Sequence, residues 1–244
     1  MLPTDFMVDY HLLRAPRVIN WSAAIEQKLP AATYASLSYI DKQGSNFFVF
    51  ADQSAPSLSG TYLLTNQRHL DYHAVNLSLR HNFSGDYVLF AAYTHSLAYT
   101  NAALEYSPTD GYLGPQQPGP LPWNVPNRVI SWGWLPVPRL KRWDFVYTLD
   151  WRTGLPFTAI NANHVVVGAP NAHTYPAYLS FSPGLEWKFH LRGAYFGLRG
   201  IIENITDREN PTVVNNVVDS PEYGTFTEPL GRALTARIRL IGNK

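Results

Sequence analysis

The sequence has no cysteine among its 244 residues, which rules out a disulfide framework, a thiolate metal site and a cysteine nucleophile. Charge is scarce as well. Asp, Glu, Lys and Arg make up 15% of the chain and leave a formal charge of +1, against roughly 25% in an ordinary soluble domain. A nucleic-acid binder would show a basic stripe, and there is none. No stretch comes near the roughly 18 consecutive apolar residues of a membrane helix. The opening Met1–Leu13 stretch has neither the basic start nor the apolar centre of a signal peptide. Catalytic signatures are also missing: there is no Gly-x-Ser-x-Gly elbow and no His-Glu-x-x-His helix, and Gly193, Gly197 and Gly200 lack phosphate-loop spacing. The chain is expected not to be an enzyme and to need no cofactor or metal.

What is abundant is apolar and aromatic: 45% and 14% of residues respectively, ample for one large β domain. These residues recur with period two. Trp143, Phe145, Tyr147, Leu149 and Trp151 share one parity, while Asp144, Val146, Thr148, Asp150 and Arg152 share the other, as on a strand with one apolar and one polar face. Leu179, Phe181, Leu185, Trp187 and Phe189 alternate with Ser180, Ser182, Glu186 and Lys188. Pro183 falls on the apolar parity of that stretch and predicts a bulge or a local break in pairing. The same reading sets Ile19, Trp21, Ala23 and Ile25 against Asn20, Ser22 and Glu26; Val75, Leu77 and Leu79 against Asn76, Ser78 and Arg80; and Phe196, Leu198 and Ile202 against Arg199 and Glu203. Leu234, Ala236, Ile238 and Leu240 alternate with Thr235, Arg237 and Arg239 in the last strand. Strands over 33–42, 86–97 and 127–137 are less regular, and the total comes to about nine.

Connections alternate in length. Tight ones near Pro30, Ser84, Pro138 and Arg192 separate long ones over 44–69, 100–126, 154–175 and 206–231. Such asymmetry belongs to an outer-membrane β-barrel, with short periplasmic turns and long extracellular loops. Trp143 and Trp151 lie roughly 26 Å apart along a strand at about 3.3 Å per residue, which suits two aromatic girdles around an apolar band of about 25 Å. Trp21, Trp143, Trp151 and Trp187 are the girdle candidates. A soluble β-sandwich with an aromatic core is the competing fold, but its polar face would carry more charge than this one does.

Several stretches in order resemble Oar-like TonB-dependent transporters. They are Leu70 to Phe83 followed by Tyr93-Thr94-His95-Ser96, Val125-Pro126-Asn127-Arg128 leading to Leu135-Pro136, and Trp151-Arg152-Thr153-Gly154-Leu155-Pro156-Phe157. Glu203-Asn204-Ile205-Thr206-Asp207 and Asp219-Ser220-Pro221-Glu222-Tyr223-Gly224 continue the likeness. It covers residues 17 to 244, with residues 1–16 as the remnant of an extracellular loop. What the resemblance implies is a barrel of roughly 22 strands closed by an N-terminal plug, of which this chain would be the C-terminal part, an incomplete set of about nine strands. Its partners would be outer-membrane lipid, the plug and remaining strands, the TonB complex, the barrel assembly machinery and a nutrient that the motifs do not identify. Family members end on an aromatic residue read during assembly. Here the chain ends Ile241-Gly242-Asn243-Lys244, so the alternating Leu234, Ala236, Ile238 and Leu240 are expected to carry that signal.

The expected lumen-facing polar set is Glu26, Arg80, Asp144, Asp150, Arg152, Glu186, Lys188, Arg199, Glu203, Arg237 and Arg239, arranged as cross-strand ion pairs. Tyr106, Tyr112, Trp123 and Tyr175 are the loop aromatics placed to stack on a ligand; packing among the loops is the competing role. His69, Asp71 and His73 share one strand face, but it is the apolar parity, so solvated residues above the membrane are favoured over a metal site. A passive structural or adhesive barrel and a soluble sugar-binding β-protein are the alternative functions.

Overall fold

The computed structural model describes residues 5–52, 61–85, 87–104 and 114–242. Their strands in chain order are β1 (Asp5–Met7), β2 (Arg17–Leu29), β3 (Thr33–Asp52), β4 (Thr61–Asn82), β5 (Val88–Thr100), β6 (Gly119–Pro120), β7 (Asn127–Pro136) and β8 (Trp143–Arg152). They continue with β9 (Pro156–Phe157), β10 (His173–Thr174), β11 (Tyr178–Leu191), β12 (Ala194–Glu203), β13 (Pro211–Val214), β14 (Phe226–Pro229) and β15 (Ala233–Gly242). Nine of them form one antiparallel wall in the order β15-β12-β11-β8-β7-β5-β4-β3-β2, with β15 and β2 as its edges. Each long strand follows its spatial neighbour in the chain, as in an up-and-down barrel.

The turns at one end are stepped. From the β2–β3 turn the ladder runs Leu29, Thr33, His81, Leu89, Gly133 and Tyr147, reaching β8 well inside the strand, although β8 begins at its own turn with Trp143. Turns level with one another therefore require strands tilted from the axis of curvature, the geometry of a barrel wall. The β11–β12 turn is a two-residue one, Arg192 and Gly193 with φ of 51° and 84°. Two successive positive φ values match the right-handed twist of the flanking strands, and the glycine takes the second at no steric cost.

The wall has two unlike faces. On one, side chains reach across an intervening strand: Tyr87 bonds Asp144 of β8 past β7, and Arg239 of β15 bonds Glu186 of β11 past β12. Such contacts define the concave face. On the convex face Val75, Leu77, Leu79, Leu185, Leu198, Leu234, Ile238 and Leu240 are all exposed, an apolar surface that water would not tolerate over such a span. Among the described residues the wall buries mostly small concave residues such as Ala74, Ala92 and Ala98, with Val146 on β8 and Val49 and Tyr62 at the far ends of β3 and β4. Larger apolar burial sits in the connections at the long-loop end, at Leu104, Leu121 and Ile160. There Ile160 bridges both Val166 and Val217, and β9–β10 and β13–β14 form small hairpins.

The long loop expected over 44–69 is instead mostly strand. β3 and β4 run on to Asp52 and Thr61 with two register shifts between Gly44 and Val49. β-prone residues on both arms, Phe47, Phe48, Val49 and Phe50 on β3 and Tyr62, Leu63 and Leu64 on β4, sustain the pairing. β1 adds to its far end, in parallel with Thr61–Leu63. At Pro183 the ladder to β8 is continuous, while that to β12 ends at Gly184. Beyond it Asn204 N–H donates to Ser182 Oγ and Ile205 N–H to the Phe181 carbonyl, so the break in pairing falls on the β12 side.

Gly133 shows how tightly the convex face is fitted. A Cβ there would lie 2.5 Å from Tyr147 Cε1, because the ring covers the glycine. The hydroxyl is held 2.9 Å from Ser131 Oγ, which itself donates to the Phe90 carbonyl. Gly133→Ala is expected to cost about 1–2 kcal/mol by overpacking. In a Tyr147→Ala background the same change should become nearly neutral, a coupling readable from urea midpoints of the four proteins of the cycle.

Candidate functional site

Near the short turns the concave face gathers charge from four strands, β8, β11, β12 and β15. Alternation turns Asp144 of β8 inward, where it is fully buried. It accepts hydrogen bonds from the Tyr87 hydroxyl at 2.8 Å and Trp134 Nε1 at 2.7 Å, and pairs with Lys188 Nζ at 2.6 Å. Burial first, and then the bond to the Asp144 carboxylate, push the Tyr87 phenol above its ordinary value, so that it remains a donor.

Glu186 of β11, also fully buried, takes Arg199 Nε and Nη2 on one oxygen at 2.8 and 2.7 Å and Arg239 Nη2 on the other at 2.6 Å. Arg239 and Arg199 lie 4.6 and 5.0 Å from the centre of the Trp134 ring. The close approach depends on Gly197, whose Cβ would sit 2.9 Å from Glu186 Oε1. Buried carboxylates need such complete pairing, because an unpaired charge away from water is far costlier than the pair.

The structure thus brings Asp144, Glu186, Lys188, Arg199 and Arg239 together, and adds Trp134 and Tyr87, which an alternation pattern could not single out. Arg237 stands exposed opposite Arg199 on the edge strand. Glu203 accepts from Thr235 Oγ1 at 2.5 Å. Farther along the face Asp150 is held by both nitrogens of Arg128, at 3.0 and 2.9 Å. Arg152, Arg80 and Lys42 have aromatic neighbours in place of carboxylates: Tyr178 at 4.7 Å, Tyr34 at 5.0 Å and Tyr72 at 5.7 Å from the ring centres. Each is the direct cross-strand partner. Glu26 and Lys28 lie exposed on the same face of β2. Cations outnumber carboxylates on this face although the whole chain is close to neutral.

Two cavities open at the long-loop end. One, of about 410 Å³, is lined by Ile40, Lys42, Phe47, Leu70, Asp71, Tyr72, Leu121 and Trp123, among others. Trp123 is half exposed there, 5.8 Å from the Tyr72 ring. The second, of about 230 Å³, lies between Pro122, Arg152, Leu155, Tyr175, Tyr178 and Pro211. The segment Leu121 to Trp123 separates them and is anchored on β5, with Leu121 N–H donating to the Ala98 carbonyl and Ala98 N–H to Asn124 Oδ1. Tyr175 lines the second cavity and also packs in the loops, 5.5 Å from Phe157 and 5.4 Å from Phe226. Tyr106 and Tyr112 lie outside the described residues.

Trp21, Trp143, Trp151 and Trp187 are all on the convex face. Trp143 and Trp187 stack at 6.3 Å beside the short turns, and Trp21 and Trp151 lie toward the other end. His73 pairs with the buried Asp41 at 2.6 Å, under the tilted Trp21 and Tyr39 rings. Among the described residues no group of three or more His, Asp or Glu is arranged to hold a metal ion.

Two outcomes follow from this geometry. Glu186→Ala leaves Arg199 and Arg239 without their carboxylate, and should lower stability by roughly 3 kcal/mol in urea unfolding followed by tryptophan emission. Gly154 lies against the Tyr175 backbone, where an added Cβ would fall 1.7 Å from the carbonyl oxygen. Gly154→Ala should therefore spring the β9–β10 loop, seen as faster cleavage of that loop by protease added to intact cells.

The model of the family described as outer membrane beta barrel domain matches residues 3–186. Among solved structures, the outer membrane transporter YddB from Escherichia coli superposes on 98% of this chain with a TM-score of 0.68 at 14% identity. The chain spans about a third of that protein, 34% of its length. No curated protein matches by sequence. The all-β antiparallel wall with its apolar convex face agrees with the family match, and the chain belongs to the outer membrane beta barrel domain family, a wall of the bacterial outer membrane.

Proposed function

We propose that this chain is wall and extracellular loop structure of a TonB-dependent receptor that takes up a nutrient. The observation that carries the reading is the division of the luminal face. Its periplasmic end is a closely packed surface built on the paired carboxylates Asp144 and Glu186, suited to lie against a plug. Its extracellular end opens into the two cavities beside Trp123 and Tyr175. Passive pores need no such cavities, and an adhesin needs no paired interior. Likeness in fold to a transporter agrees with this.

In this reading the wall is part of a barrel of roughly 22 strands. The four convex tryptophans sit at the lipid interfaces, and Leu234, Ala236, Ile238 and Leu240 form the strand read by the assembly machinery. The TonB complex acts through a plug and not through these residues.

The test is solute depletion from defined medium by cells with and without the intact gene, repeated in a strain lacking TonB. At least one solute should disappear from the medium only when both are present. Depletion that persists without TonB, or no difference on deleting the gene, would overturn the proposal.

A further inference from the structure

We infer that the extracellular end of the luminal wall takes an anionic solute, with Lys42 over Tyr72 and Arg152 over Tyr178 as two adjoining subsites on either side of Leu121, Pro122 and Trp123. The inference rests on the receptor reading and names the chemistry of what that receptor takes. Among the described residues neither Lys42 nor Arg152 has a carboxylate partner. Arg128, by contrast, on the same face, is fully engaged by Asp150.

A tyrosine ring attracts a cation without cancelling its charge, and it holds a guanidinium flat with its N–H edges free. Such pairing orders the side chain while leaving it available to an anion. Arg80 over Tyr34 repeats the arrangement near the periplasmic turns, so the device occurs three times along one face. An excess of cations on a concave, low-dielectric wall focuses a positive potential into the lumen. Ile40, Phe47 and Leu70 line the Lys42 cavity together with Asp71, and this apolar share favours a solute carrying hydrocarbon beside its acidic group. Arg152 stands level with Asn76 across the ladder, three strand steps over and four residues along from Tyr72, roughly 20 Å at about 4.8 Å per step and about 3.3 Å per residue, so each subsite takes its own acidic group.

The test compares sebacate with its matching diol and diamine, which differ only in end-group charge, binding to the full-length protein in nanodiscs. Tryptophan emission is the readout, with W123F to assign the signal to the site. Sebacate should bind saturably, and the diol and diamine at least about tenfold more weakly. The double K42Q/R152Q variant should weaken sebacate about fivefold or more, whereas K42R/R152K should hold it within about twofold. Raising the salt tenfold should weaken sebacate binding to the unaltered protein and leave the diol unchanged, a result independent of how the variants fold. Equal binding of diol or diamine, sebacate affinity unchanged in the double K42Q/R152Q variant, or insensitivity to salt would overturn the inference. TonB-dependent depletion is measured separately, so its absence with sebacate binding intact would count against the transport reading alone.

Discussion

Hydrocarbon offers nothing to a backbone N–H or C=O, so a chain that crosses a membrane as strands must place each of these groups on a neighbouring strand. The rest of the architecture follows from that requirement. Continuous ladders force strands to lie side by side and alternate their side chains between two environments, which gives every strand one face for lipid and one for the interior. Curvature brings the interior face into crowded contact, so Tyr87 and Arg239 reach past a whole strand to their partners, while the convex side chains fan apart. Tilt steps the turns. Pro183 shows what happens where the requirement fails locally: the ladder to β12 stops, and a side-chain hydroxyl and a shifted backbone donor replace it.

The interior face handles charge in two ways along its length. Near the short turns, crowding removes water, and the carboxylates there are saturated by Lys188, Arg199 and Arg239 above the Trp134 ring. Toward the loops the face widens into cavities that water can reach, and single cations stand over tyrosines without counter-charges. A buried ion demands a partner and a hydrated one does not. Carboxylates are paired wherever they are buried, and cations over tyrosines stand at both ends of the face, Arg80 near the short turns and Lys42 and Arg152 toward the loops.

Strands such as β8, β11 and β15 are legible in the sequence because lipid and lumen impose opposite chemistry on alternate residues. β5 and β7 are harder to read for a physical reason. Val88, Phe90, Trp132 and Trp134 fall on the concave face by register, where an aromatic ring can pack against another or support a cation, so apolar residues occupy both faces. The far halves of β3 and β4 escape notice because nothing outside the membrane sorts their side chains by face. Pairings at the site are hidden more deeply. That Lys42 meets Tyr72 directly across the ladder, or Arg128 meets Asp150 on the diagonal, depends on the register between strands, and a period-two pattern carries no such information. Trp123 and Tyr175 stand out as loop aromatics, yet the cavities they line are made by Lys42, Tyr72, Arg152 and Tyr178 from the strands beneath.

The two edges of the wall constrain what can complete it. All nine long strands alternate in direction from β2 to β15, so an odd count leaves β2 and β15 running the same way. Joining them directly would need a parallel ladder. Placing a second copy beside the first about an axis normal to the membrane would also set β15 against β2 in parallel. Antiparallel closure instead takes an odd number of further strands, the first and last both running opposite to these edges. Until such strands are in place, the outer backbone groups of β2 and β15 face lipid without partners, a cost of several kcal/mol for each buried group. The ladder requirement that shapes the interior of this wall thereby also specifies the parity and direction of its neighbours.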